Sequence, residues 1–456
     1  MAKTKTAYFC TNCGAESTKW IGRCPSCGNW NTYVEETIAK SPGKSLPGKR
    51  SHNEPERISD ISSDTEPRLQ LEGDEFNRIL GGGMVPGSVI LIGGEPGIGK
   101  STLALQVALK TPSVKTLYIS GEESSRQIKL RADRIVASNG NCYVLCETNL
   151  EAIDNHLLKM QPRLVIIDSI QTLQTDMLES PAGSASQIRE CAARLLRYAK
   201  ETSTPVLLIG HITKDGILAG PKVLEHIVDV VLQFEGDHNH MYRVLRSSKN
   251  RFGSTSEIGL YEMQSNGLRE VDNPSEILVN HHEENMSGIA ISAMVDGIRP
   301  FLVEIQALVS SAVYGTPQRS STGFDLRRLG MLLAVLEKRA GFRLASKDVF
   351  LNIAGGLRIT DPAADLAVIV AILSSDLDMA IPQDTCFAAE VGLSGEIRPV
   401  GRLEQRIREA EKMGFRNIVV SSFSKKDELK KDYSIRIICS GNIGHLFRLL
   451  FKSSKS

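Results

Sequence analysis

The amino-acid sequence predicts an α/β protein in three parts: a small zinc ribbon, a nucleotide-binding core with a parallel sheet and an antiparallel extension, and a final α+β domain. Three observations carry that reading. Four of the nine cysteines fall between residues 10 and 27. From about residue 69 short apolar strands alternate with helical stretches, the signature of βαβ units. Residues 94–101 read GEPGIGKS, which fits the phosphate-loop pattern G-x-x-x-x-G-K-[ST].

The bulk properties set the frame. A chain of 456 residues holds roughly three domains at about 150 residues each. Its 41% hydrophobic and 23% charged residues suit a packed globular protein and exclude a disordered chain, a collagen or a short disulfide scaffold. The net charge of +1 argues against a uniformly basic nucleic-acid coat. The N-terminal stretch lacks the apolar core of a signal peptide, and runs such as 164–167 and 367–373 are far shorter than the ~20 residues that span a bilayer. The expected location is the cytoplasm, with no membrane partner.

The ribbon is expected over residues 1–35. Cys10-x2-Cys13 and Cys24-x2-Cys27 supply four thiolates, separated by ten residues, for a tetrahedral structural Zn²⁺. Gly14 and Gly28 follow the two pairs and suit tight turns around a metal. Four unrelated thiols or two redox pairs are the alternatives. Trp20 and Trp30 are expected to form the little core such a module has, and the folded module to touch either DNA or protein. Cys142, Cys146, Cys191, Cys386 and Cys439 sit in apolar surroundings and are expected to be core thiols. Residues 36–67, rich in Ser, Pro and charge, read as a linker.

The nucleotide-binding core is expected over 68–270. Strands are predicted at 88–94, 116–120, 164–169 and 205–211, with helices at 100–110, 150–160 and 184–201. An antiparallel meander should follow at 230–237, 242–251 and 257–263. In the phosphate loop, Gly94, Glu95, Pro96, Gly97, Ile98 and Gly99 let backbone N–H groups close around phosphate oxygens at a helix N-terminus. Lys100 would reach the β- and γ-phosphates of ATP, Ser101 would ligate Mg²⁺, and Thr102 would brace the loop. Asp168 ends an apolar strand, where a carboxylate can hold the Mg²⁺ shell through water. Glu122 or Glu123, just past strand 116–120, could orient the attacking water. His211 could sense the γ-phosphate or be an ordinary hydrogen-bonded strand-end residue. Lys249 and Arg251, after Arg243 and Arg246, stand at i and i+2 and would share one face of a strand; a solvated charged edge is the plain alternative.

A second linker is expected at 271–285 and an α+β domain at 286–456, with helices near 326–339, 361–375 and 401–413.

Taken together, the paired cysteines, GEPGIGKST, LVIIDSIQT, GHITKDGILAGPKVLEH and KNRFG occur in the order and spacing of the bacterial RadA (Sms) family of DNA repair ATPases, which the chain resembles along essentially its whole length. The resemblance implies a RecA-like core similar to that of replicative DnaB helicases, with the nucleotide between subunits of a ring. It places the family signature on Lys249, Asn250, Arg251, Phe252 and Gly253, so that Lys249 and Arg251 become cations offered in trans to a neighbour's γ-phosphate. It favours Glu122 as the water-orienting base. It makes 213–222 a DNA-binding loop, with Lys214 and Lys222 on phosphates, and lets the basic meander with Lys249 and Arg251 share in DNA contact. It further implies a DNA-stimulated ATPase acting on single-stranded and branched DNA, driving branch migration beside a recombinase filament, as a homohexamer. A Lon-like ATP-dependent protease and a regulatory ATPase without a DNA role are the competing readings.

The last domain resembles the Lon peptidase domain. The segment matching Lon's serine motif reads TDPAADL at 360–366, with no serine, and the segment matching its lysine motif, 395–404, carries Glu404 near the lysine's place. Ser374 and Ser375 lie too far along to substitute. The expectation is an inactive domain that scaffolds the ring or binds DNA. Arg319, Arg327, Arg328, Lys338, Arg339 and Arg343 form a basic cluster that either faces a duplex or is merely solvated.

Overall fold

The computed structural model describes residues 5–10, 15–38, 57, 68–135, 140–211, 223–236, 242–279, 286–312, 316–429 and 432–451. The chain forms two compact units, Met1–His238 with Arg243–Glu270, and Asn239–Tyr242 with Val271–Ser456.

The first unit opens with a three-stranded sheet, order β2-β1-β3, from β1 (Lys5–Cys10), β2 (Glu16–Ser17) and β3 (Tyr33–Ile38). Its core is Cys10, Cys24 and Tyr33, flanked by Tyr8, Ala15 and Cys27. The tryptophans do not fill it: Trp20 is 55% and Trp30 69% exposed. A module whose centre is taken up by thiols has no space for two indoles.

After the short helix α1 (Asp74–Ile79), the βα rhythm predicted from 88 to 211 is present. It runs β4 (Val89–Gly94), α2 (Lys100–Lys110), β5 (Thr116–Ser120), α3 (Ser125–Ile135), β6 (Cys142–Cys146), α4 (Leu150–Met160), β7 (Leu164–Asp168), α5 (Ala185–Thr202) and β8 (Val206–His211). Then come α6 (Val223–Ile227), β9 (Val230–Glu235), β10 (Tyr242–Asn250), β11 (Ile258–Gln264) and β12 (Gly267–Glu270). All nine strands from β4 on form one sheet, order β12-β11-β10-β9-β4-β8-β7-β5-β6. The block β9 to β6 is parallel, while β9–β10 and β11–β12 are antiparallel.

The strand sequences are continuous apolar runs because both sheet faces are covered. Alternate residues go to opposite sides. Ile90, Ile92, Tyr118, Ile166 and Leu207 pack with Leu103 of α2 and Ile128 of α3. Val89, Leu91, Ile119, Val165 and Leu208 pack with Ile153 of α4 and Leu195 of α5. Strand β6 was not foreseen. It is an edge strand, only partly buried, so it lacks the apolar density that marks β4 or β7. Its Cys146 is exposed, as is Cys439 further on, whereas Cys191 and Cys386 are buried and Cys142 half-buried.

The second unit holds α7 (Pro274–Leu278), β13 (Ile289–Asp296), β14 (Arg299–Ser311), β15 (Arg319–Thr322), α8 (Leu326–Val335), β16 (Lys347–Ile353), α9 (Ala364–Leu377) and β17 (Thr385–Ala388). It continues through β18 (Glu390–Val391), β19 (Ile397–Arg398), α10 (Leu403–Lys412), β20 (Asn417–Ser421), α11 (Lys426–Leu429), β21 (Arg436–Ser440) and α12 (Ile443–Phe451). Its mixed seven-stranded sheet has the order β15-β16-β14-β13-β17-β20-β21. Helix α9 is buried from Ala364 to Ser374. That all-round apolar character marks a central helix and not a surface one.

Candidate functional site: a phosphate loop, a carboxylate pair and a metal ribbon

Parallel strands end together, so β4, β5, β7 and β8 deliver their C-terminal residues to one sheet edge. The register pairs Gly94 with His211 and Ser120 with Asp168. Such an edge is where ligands bind in open α/β sheets. The loop 94–99 leaves β4 and turns into α2 through Gly97 (φ +76°) and Gly99 (φ +116°). A β-carbon on Gly99 would stand 2.8 Å from Met263 Cε, so the position admits no side chain without displacement. The N–H groups at the start of α2 then face the crevice with the positive end of the helix dipole.

Lys100 is buried, and its ammonium donates to the carbonyls of Gly94 (2.7 Å) and Glu95 (2.8 Å). Burial pulls its pKa down to about 8, against the pull of Asp168, Glu122 and Glu95. The two loop carbonyls therefore satisfy the lysine's buried charge. Asp168 is held at both oxygens: Ser101 Oγ donates to Oδ1 (3.1 Å) and the buried Tyr118 hydroxyl to Oδ2 (2.5 Å). Carboxylate and hydroxyl oxygens side by side suit a hard divalent cation such as Mg²⁺. Thr102 lies in the first turn of α2.

The two adjacent glutamates point to different neighbours. Glu123 is ion-paired with Arg131 of α3. Glu122 Oε1 accepts from Ser169 Oγ (2.6 Å) and lies 3.1 Å from His211 Nε2. Burial works against its charge, but the hydrogen bonds from Ser169 and His211 outweigh that and hold its carboxyl below the usual range. Tyr118 and Ser169 carry no motif of their own. Their roles arise from strand register, which is why the sequence does not single them out.

The Lys249–Gly253 segment sits at the opposite edge of the sheet. Asn250 pairs with Val230, and Val230 with Ile90, four residues (about 13 Å) before Gly94. The register shifts between Ser247 and Lys249, and β10 ends at Asn250, so simple strand alternation does not align the two cations as predicted. Instead Lys249 Nζ donates to the carbonyls of Glu225 (2.6 Å) and Val228 (2.7 Å) at the end of α6. Arg251 reaches Asp229 (3.3 Å) with its side chain 56% exposed. The other three residues build the turn. Asn250 donates to Ile79 O and accepts from Phe252 N, Phe252 O accepts from Arg68, and a β-carbon on Gly253 would stand 3.1 Å from Gly81 Cα. Lys214 and Lys222 lie outside the described residues.

In the ribbon, Cys10, Cys24 and Cys27 gather their sulfurs within 4.8 Å of one another, and Cys10 Sγ is 3.7 Å from Cys27 Sγ. A tetrahedron with Zn–S of about 2.3 Å has S–S edges of about 3.8 Å, so the thiols present fit Zn²⁺. Cys13 lies outside the described residues.

In the second unit, the segments matching the Lon motifs are tied into ion pairs. Asp361 binds Arg406 (2.6 Å), buried Asp365 binds Arg328, and Glu404 pairs with Arg408 (3.0 Å). Ser374 Oγ donates to Met379 O and accepts from Gly288 N, and Ser375 Oγ accepts from Val309 N. Arg328 is thus not available to a duplex, whereas Arg319, Arg327, Lys338, Arg339 and Arg343 are exposed.

Comparison with known proteins agrees with this geometry. A family described as an AAA domain matches residues 54–216, one described as a rubredoxin metal binding domain matches 8–35, and one described as subunit ChlI of Mg-chelatase matches 319–423. The KaiC-like protein of Pyrococcus horikoshii OT3, a solved structure, is similar over 45% of this chain and 99% of its own, at 19% identity and a TM-score of 0.38. By its phosphate loop, its parallel sheet and the three matched families, the chain is a P-loop, ATP-hydrolysing enzyme with a RecA-like core, an N-terminal zinc ribbon and a Lon-like C-terminal domain. Its relatives are more specific. DNA repair protein RadA of Bacillus subtilis (strain 168) is 48% identical over 455 residues, 98% of this chain and 99% of that protein. The proteins of the same name from Listeria monocytogenes serovar 1/2a and Streptococcus pyogenes serotype M6 are 49% and 44% identical, over 92% and 99% of this chain and 92% and 100% of their own lengths. The chain belongs to the RadA family of DNA repair ATPases. Among its described residues no helix is long and apolar enough to cross a membrane.

Proposed function

We propose that the protein is a DNA-stimulated motor that assembles as a ring, a homohexamer, around single-stranded DNA in the cytoplasm and drives branch migration of joints made by a recombinase filament. The observation that carries this reading is the placement of Lys249 and Arg251 at the sheet edge opposite the phosphate loop of their own chain. Too distant to serve their own nucleotide, they suit a neighbour's.

In this reading Gly94, Glu95, Pro96, Gly97, Ile98, Gly99 and Thr102 cradle the phosphates. Lys100 leaves the Gly94 and Glu95 carbonyls for the β- and γ-phosphate oxygens. Ser101 and Asp168 would hold Mg²⁺, which would supply neutralising charge to the phosphates, and Tyr118 fixes the second carboxylate oxygen of Asp168. Glu122, kept ionised by Ser169 and His211, accepts the proton of the attacking water. The γ-phosphoryl passes from ATP to that water, giving phosphate and leaving ADP, and Lys249 and Arg251 of the adjoining subunit stabilise the charge that develops. Freeing Arg251 breaks its 3.3 Å pair with Asp229, whose buried carboxylate keeps Lys200 (3.1 Å) and the Val89 N–H (3.1 Å) as partners. Lys214 and Lys222 contact DNA phosphates, and the Lon-like domain, in which Asp365 and Glu404 are engaged in ion pairs, scaffolds the ring without cleaving peptides.

The test is the ATPase rate with single-stranded, duplex and branched DNA at fixed salt. Stimulation by single strands is expected; a rate indifferent to DNA would favour a regulatory ATPase instead. Casein cleavage with ATP, lost on Asp365→Ala or Glu404→Ala, would overturn the peptidase-inactive reading.

A further inference from the structure

We propose that the zinc ribbon carries a stacking platform for unpaired bases, formed by Trp20 and Trp30 with Arg23 and Lys19. The whole chain has two tryptophans, and both are on this module. Both are more than half exposed. The rings converge: a β-carbon on Gly22 would lie 3.7 Å from Trp20 Cη2 and 3.9 Å from Trp30 Cζ3. The Arg23 guanidinium stands 5.8 Å from the Trp30 ring centroid, steadied by its hydrogen bond to Gly28 O (3.1 Å).

The chemistry selects the occupant. Between Ser17 and Tyr33 the charged residues are Lys19 and Arg23, so the surface is cationic as well as aromatic. A protein partner burying two indoles would not require the cations. A duplex offers phosphates but hides its base faces. Single-stranded DNA offers both, a π-face for each indole and a phosphate for each cation, without demanding a particular sequence. The inference rests on the single-stranded DNA reading above and adds to it a second contact, remote in sequence from the nucleotide site.

Because both tryptophans belong to the platform, the intrinsic tryptophan emission of the full-length protein reports on it alone. Titration with oligo(dT) should quench that emission, while a blunt duplex should leave it unchanged. Trp20→Ala and Trp30→Ala should each weaken oligo(dT) binding roughly tenfold. The slope of log K against log salt should stay that of the parent, since no phosphate contact is lost. Trp30→Phe should restore most of the affinity. If single-stranded DNA stimulates the ATPase but emission stays unquenched at saturation, the platform is wrong and the motor reading survives; if neither responds, both fail. Alanine variants that keep their zinc and bind like the parent would also overturn the platform. Should a variant lose zinc, the titration of the unaltered protein decides.

Discussion

At the scale of single residues, the site is a set of polar groups that satisfy one another. Lys100 satisfies its buried charge on two loop carbonyls, at a pKa of about 8. Binding an anionic phosphate favours the protonated form, so the free lysine must take up a proton wherever it is neutral. ATP affinity should thus be nearly level below pH 8 and fall up to tenfold per unit above it, with proton uptake that calorimetry in two buffers would reveal; level affinity to pH 9.5 would contradict this assignment. Lys100→Ala should abolish turnover, and turnover retained in that variant would break the phosphate-loop assignment. The loop, Asp168 and the cysteine pairs were legible because each is a local pattern with a fixed chemical purpose. The difference in surroundings between Glu122 and Glu123 was not. Adjacent in sequence, they differ only in what the fold places beside them, Ser169 and His211 for one and Arg131 for the other. Tyr118 was hidden for the same reason, since its hydroxyl meets Asp168 only through β5–β7 pairing.

At the scale of elements, the core strands were readable because burial on both faces leaves continuous apolar runs. Edge strand β6, half-exposed, leaves no such trace. The ribbon shows the converse limit. Its ligand spacing was plain, yet the tryptophans were misplaced, because in a module this small the metal site replaces the apolar core. Folding of the ribbon should therefore depend on metal. Chelation should release one Zn²⁺ per chain and leave residues 5–38 open to protease while the sheet of the core persists. Purified protein with no zinc would remove the assignment. In the second unit, Asp365 is buried against Arg328 and accepts from Val391 N (3.1 Å). Asp365→Ala would leave the Arg328 guanidinium with only its 3.7 Å contact to Glu390 and its bond to the Val391 carbonyl, and should cost about 2 kcal/mol of stability, measured by denaturant unfolding. An unchanged midpoint would show that the pair contributes little.

At the scale of the whole molecule, the net charge of +1 conceals separate groups of cations: Lys19 and Arg23 on the ribbon, and Lys249 and Arg251 at the end of β10. The parallel sheet has two ends, and the chain uses both. One holds the phosphate loop with Glu122 and Asp168, the other the Lys249–Gly253 turn, in which Asn250, Phe252 and Gly253 fix the backbone, the Lys249 ammonium rests on the Glu225 and Val228 carbonyls and Arg251 is exposed. Sequence alone could name that turn but could not say at which end of the sheet it lies, since this depends on the β9–β10 and β4–β9 registers. The central claim is that each nucleotide is completed by the neighbouring chain. The most direct measurement mixes the Lys100→Ala and Arg251→Ala proteins, each nearly inactive alone, and follows ATP turnover across mixing ratios with single-stranded DNA present. Turnover that rises well above the weighted mean of the two, peaking near equal amounts, is the predicted result; a rate equal to that mean at every ratio would contradict the account.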